Sequence, residues 1–178
     1  MEYPWYKTLT ANLDLQQGDF IMNCPVIIPP ETIDLVSIPE VDVKKMDAII
    51  LTQSCDLVSK NIDNILVCRY FSLSDFFNEI QKEQDLNAKR KRSVLDNLRK
   101  GHLVSYHLLN KQKGVFDDYL VVDFKNVYGI HRSTLSEIIK NSGQRVRLLP
   151  PYREHLSQAF ARYFMRVGLP QDIAIEGY

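Results

Sequence analysis

The apolar residues of this chain come in short runs, and turn residues cut them repeatedly. Val26–Ile28 and Ala48–Leu51 are typical of the longest. A strand needs about five or six residues and a membrane helix about 20. Such a pattern therefore suits a sheet of short strands with separate helices and gives no membrane-spanning segment. "GDFIMNCPVII" begins at a Gly-Asp turn, with Phe20, Met22 and Cys24 on one side of a period-two strand. Pro25 places that strand at an edge or a bend. "MDAIILTQSCDL" reads as a strand buried on both faces that ends in a polar turn from Gln53 to Asp56.

Between them, "PPETIDLVSIPEVDVKK" reads as a loop with extended pieces. "ILVCRYFSL" is the next strand. Residues 74–100 carry helical signals: Ser74 as N-cap, an apolar stripe at Phe76, Phe77 and Ile80, a second at Val94, Leu95 and Leu98, and Gly101 as the stop. "HLVSYHLLN" and "DYLVVDFKNVYGI" form a hairpin around "KQKGVFD". "TLSEIIKNSG" is a short helix and "RVRLL" a short strand with both arginines on one face. "PPYREHLSQAFARYFMRVGLP" is the strongest helix, with Leu156, Ala159, Phe160, Tyr163, Phe164 and Val167 on its apolar side. Five or six strands with late helices predict a mostly β, α+β chain, a small antiparallel barrel with helices against it. The 178 residues suffice for one domain.

Charge is zero overall and unevenly placed. Residues 1–64 hold ten acids and four bases, net −6, and residues 65–178 hold twelve acids and eighteen bases, net +6. The acidic half suits a protein partner and the basic half phosphate. "KRKR" at 89–92 reads first as a solvated helix face. Arg145 and Arg147, with Arg153, Arg162 and Arg166, would extend it into a phosphate-tracking surface, with Tyr70, Phe71 and Tyr128 as candidate stacking rings. Cys24, Cys55 and Cys68 have no metal-ligand spacing. Without a secretion signal they are expected as reduced thiols of a cytoplasmic protein, Cys24 and Cys68 in the core and Cys55 in an exposed turn. Asp56 beside Cys55 disfavours a thiolate nucleophile. The four histidines are scattered, and no GxSxG, HExxH, phosphate-loop or dinucleotide motif occurs.

The order "GDFIMNCPVII", "MDAIILTQSCD", "ILVCRYFS", "YLVVDFKNVYGIHRSTL" and a final amphipathic helix resembles the MazF/PemK family of toxin ribonucleases over about two thirds of the chain. Residues 73–101 then look like a helical insertion. The resemblance implies an SH3-like barrel, single-stranded RNA as ligand, an antitoxin or defence-system protein as partner, a possible homodimer, and no cofactor or metal. It places Ser72 where the family has a catalytic hydroxyl. It puts Asp123, Lys125 and Asn126 near nucleic acid, along with Arg132 of "IHRSTL". The family's loop arginine is missing: residues 19–59 contain no arginine, only Lys44 and Lys45. Lys44, Lys45 or Arg69 would have to replace it, and a lysine supplies charge without the planar fork of arginine. The leading expectation is a binding module with weakened or lost nuclease chemistry. An active, metal-independent endoribonuclease is the alternative, and a thiol or metal sensor at Cys55 the second alternative.

Overall fold

The computed structural model describes residues 3–10, 14–32, 36, 40–59, 61–83 and 87–165. The class is α+β, as expected. In chain order the elements are β1 (Tyr6–Thr10), β2 (Phe20–Ile28), β3 (Asp42–Ile50), α1 (Ser54–Ser59), β4 (Asn64–Ser72), α2 (Leu73–Glu83), α3 (Ala88–Arg99), β5 (Tyr106–Leu109), β6 (Leu120–His131), α4 (Arg132–Ser142), β7 (Gln144–Leu148) and α5 (Tyr152–Phe164).

The strands form two antiparallel sheets. One pairs β1 with β7; the other runs β2-β3-β4-β6-β5. Among the described residues no closed ladder joins them. They meet at one bridge, Asp19 to Arg147. Gly18 makes that approach possible. Its φ is +83°, and a Cβ there would lie 3.1 Å from Leu148 Cβ and 3.2 Å from the Leu148 carbonyl oxygen.

Asp19 locks the junction. Its carboxylate is fully buried and accepts from Arg145 Nε at 2.8 Å, from Arg147 Nε, and from an Arg147 terminal nitrogen at 2.9 Å. The Gln16 amide donates to it as well. The two guanidinium groups also donate to the carbonyls of Thr10 and Asp14. The arginines of "RVRLL" do share a face, and that face points inward.

Side chains pack on both sides of the larger sheet. Phe20, Ile49, Tyr70 and Phe124 join Tyr6, Leu148 and Leu156 on one side. Ile21, Ala48, Ile50 and Val67 meet Leu135 and Ile139 of α4 on the other. A third cluster seats the helical insertion, with Phe76, Phe77 and Leu98 packed on Phe71 and Val121.

Several expectations are corrected. The polar turn at 53–56 opens α1, and residues 42–45, the end of the stretch read as a loop with extended pieces, belong to β3. β1 adds a strand that local patterning did not show; its partner β7 lies far away in sequence. Phe20, Met22 and Cys24 do not share a face. A bulge between Ile21 and Cys24, with Asn23 at φ 52°, turns Met22 outward while Phe20 and Cys24 stay buried. The 74–100 segment is two helices. Val167, Gly168 and Pro170, read as the end of α5, lie outside the described residues. Among the described residues no helix is long and apolar enough to cross a membrane.

Candidate functional site

"DFKN" at 123–126 is a bulge inside the sheet. β6 lies between β4 and β5, and the β5 ladder ends at the pair Tyr106–Asp123, at the start of the bulge. Cys68 pairs with Val127 and Tyr70 with Val122, leaving four residues of β6 opposite Arg69 alone. Asp123, buried, wires the loop: its carboxylate accepts from the Lys125 amide at 3.1 Å and from Asn126 Nδ2 at 2.7 Å. Asn126 Oδ1 in turn accepts from the Tyr128 hydroxyl. The asparagine expected at nucleic acid therefore spends its amide on the bulge. Lys125 projects outward and places Nζ 4.7 Å from the centre of the Tyr106 ring. Phe124 turns in and stacks on His107 at 6.4 Å, and its other neighbours are Phe160 and Tyr163 of α5.

That arrangement supports one wall of a cleft of about 310 Å³ between the end of α3, β5 and α5. Arg99 and Lys100 come from α3, His107 from β5, and His155 and Arg162 from α5. Local sequence explains each placement. Bases belong in the last turn of a helix, where the carbonyl ends carry partial negative charge. Gly101 at φ +68° then stops α3. On α5, His155, Gln158, Ala159 and Arg162 follow helical spacing and line the cleft, while Leu156 faces the core.

No acidic side chain is among the described residues that line the cleft. Asp96, one turn back on α3, accepts from Lys100 Nζ at 2.6 Å and from Arg99 at 3.2 Å. The Lys100 hydrogen bond, with Arg99 behind it, holds the Asp96 carboxyl below its usual range. Burial pushes the His107 imidazole down to about 4, and the charge of His155 adds to this. Near neutral pH His107 is thus an uncharged hydrogen-bonding group at the cleft wall.

The other expected site residues fall elsewhere. Ser72 Oγ donates to Asp75 at 2.6 Å and accepts from the Asp75 amide at 3.0 Å, so it caps α2. Ser74, expected as that cap, instead binds Asp118 through its hydroxyl and amide. Arg69 pairs with Glu79 at 2.5 Å and lies over the Phe71 ring. The β3–β4 ladder ends at Ala48 and Arg69. Lys44 and Lys45 lie beyond it, exposed on a ribbon formed with β2 alone. Arg132 ties α4 to the carbonyls of Ile62 and Leu57.

The expected phosphate surface at Arg145 and Arg147 is corrected by their burial around Asp19; their side chains are 1% and 11% exposed. Tyr70 and Phe71 are likewise core rings. Arg153 pairs with Glu154, and Arg166 lies outside the described residues. Cys24 and Cys68 are buried and Cys55 exposed, as expected. Burial raises the Cys24 thiol to about 11 and the Cys68 thiol further. Among the described residues no three His, Cys, Asp or Glu side chains are grouped to hold a metal.

No protein-family model matches the chain, and no curated protein matches it.

Proposed function

We propose that this protein is a binding module of MazF/PemK-like type that takes single-stranded RNA in the cleft between α3, β5 and α5 and does not cut it. One observation carries the reading: Arg99, Lys100, His107, His155 and Arg162 come from three elements to line one hollow, with no acidic side chain among the described residues that line it. Absence of cleavage is supported by the engagement of Ser72 in a helix cap and of Arg69 with Glu79. A cutting enzyme would need both a proton acceptor and a cation at one phosphate, and losing such a donor costs ~10²–10³ in rate. The acidic N-terminal third would serve a protein partner in a toxin–antitoxin, phage-defence or regulatory system.

The test is anisotropy with a labelled single-stranded RNA across a salt series, alongside a cleavage assay without added metal. Three permanent cations at the cleft predict a slope of about −2 in log affinity against log salt, from ~0.7 per neutralised phosphate on a single strand. Arg162→Glu should reduce affinity at least tenfold. A flat salt response refutes the RNA reading. Cleavage that Ser72→Ala abolishes would establish the active endoribonuclease instead.

A further inference from the structure

We infer that the cleft recognises a terminal phosphate, a phosphomonoester group at the end of a strand or on a free mononucleotide, rather than an internal stretch of backbone. This rests on the reading of the cleft as the RNA site and specifies which part of the strand enters it.

Shape and charge both favour an end. At about 310 Å³ the hollow lies at the small end of ligand pockets, which run roughly 300–1,000 Å³. A protein that tracks a strand presents its cations in a row along a groove. Here they line a single hollow: Arg99 and Lys100 from the end of α3, both also bonded to Asp96, and Arg162 one helical turn from Gln158 on α5. An internal phosphodiester carries one negative charge, whereas a phosphomonoester carries about −1.5 to −2 at neutral pH and offers three acceptor oxygens. Converging cations discriminate most strongly in favour of the group with the higher charge density.

The two histidines add a second preference. The His107 ring lies near-parallel to Phe124, with 6.4 Å between ring centres and 19° between planes, and His155 lines the same hollow from α5. Without ligand His107 is neutral, because burial and His155 disfavour its charge. The other charges around it are Arg99 and Lys100 with Asp96 on α3, Arg162 on α5, and Lys125 with buried Asp123 on β6. A dianion in the hollow reverses the balance and draws a proton onto His107, which then becomes a donor to the phosphate. An internal diester, with half the charge, does this less.

The experiment compares four probes on the full chain by competition anisotropy: a 12-nucleotide RNA with a 5′-hydroxyl, the same RNA with a 5′-phosphate, the same RNA with a 3′-phosphate, and a free mononucleoside monophosphate. At least one phosphorylated end should bind tenfold or more tighter than the hydroxyl form, and the mononucleotide should compete with it. Which end wins identifies the strand polarity; competition by the mononucleotide but by no RNA assigns the phosphate site to a free nucleotide and sinks the RNA reading alone. Equal affinity of all three RNAs overturns the terminal-phosphate inference and leaves RNA binding standing. No binding by any probe overturns both. His155→Gln sits on an exposed helical position and should keep the fold while reducing the preference. Imidazole NMR supplies an independent readout: saturating mononucleotide should move the His107 titration upward, and an unmoved titration counts against phosphate contact.

Discussion

Replacing Asp19 with alanine should separate the two sheets energetically, and the size of the effect follows from its surroundings. The carboxylate is fully buried and pairs with two guanidinium groups, one of them as buried as itself. Removing one partner of a buried ion pair costs about 3–5 kcal/mol, because the remaining charge keeps its desolvation penalty. Arg147 retains slight exposure, Arg145 keeps its bonds to the Thr10 and Asp14 carbonyls and Arg147 its bond to Asp14, so the middle of that range, about 4 kcal/mol, is expected. With a urea m-value near 2 kcal/mol/M, the midpoint should fall by about 2 M. Melting should drop by roughly 8–16 °C at ~2–4 °C per kcal/mol. Trp5, the single tryptophan, stacks on Tyr152 at 3.5 Å and reports on the β1 region by fluorescence. A companion variant with Asp19→Leu, Arg145→Met and Arg147→Met removes all three charges together and should regain most of the loss. A loss below about 1 kcal/mol for Asp19→Ala would refute the claim that this cluster joins the sheets.

Two further expectations bear on the site. Ser72→Ala should cost about 1 kcal/mol in urea unfolding, the value of an N-cap, and leave RNA affinity and its salt slope unchanged; a tenfold loss of affinity would return Ser72 to the binding site. For His107 the folded value, about 4, lies below its ordinary 6.5, so the unfolded chain binds more protons between them. Stability should therefore be fully present above about pH 6.5 and fall as pH drops toward 4, by at most on the order of 3 kcal/mol at ~1.4 per unit. Urea midpoints of the wild type and of His107→Gln, measured at pH 7 and 4.5, should converge at the lower pH; parallel curves would refute burial as the cause.

The sequence was most legible where the signal was local. The run at Ala48–Ile50, the hairpin of β5 and β6, the helix closed by Gly143 and the amphipathic α5 all follow from neighbours within one or two turns. What escaped depends on distant contacts. Arg145 and Arg147 have the composition of a phosphate patch, and only the approach of Asp19, more than a hundred residues earlier, makes them core. β1 is strand because β7 lies beside it. Ser72 looked like a family hydroxyl and equally fits the start of a helix; the distance to Asp75 separates the two. Of the cleft, the His155, Gln158, Ala159 and Arg162 spacing was readable on α5. The approach of His107 and of the α3 terminus was not, since both come from elements whose placement only tertiary packing fixes.

The bulge at 123–126 then acquires a reason beyond strand irregularity. A regular β6 would alternate Phe124 and Lys125 on opposite faces with no room for extra residues opposite Arg69. Four residues against one let Asp123 close the loop, send Phe124 beneath His107 and against α5, and leave Lys125 above Tyr106. Both rings border the basic cleft. The cleft's permanent cations, Arg99, Lys100 and Arg162, come from the end of α3 and from α5, and α3 belongs to the 73–101 segment that the sequence presents as an insertion. If RNA binds there, its affinity should track charge changes on α3 and α5 and ignore those on the β2–β3 ribbon, where Lys44 and Lys45 lie. That contrast separates a site added to the strand framework from one retained within it.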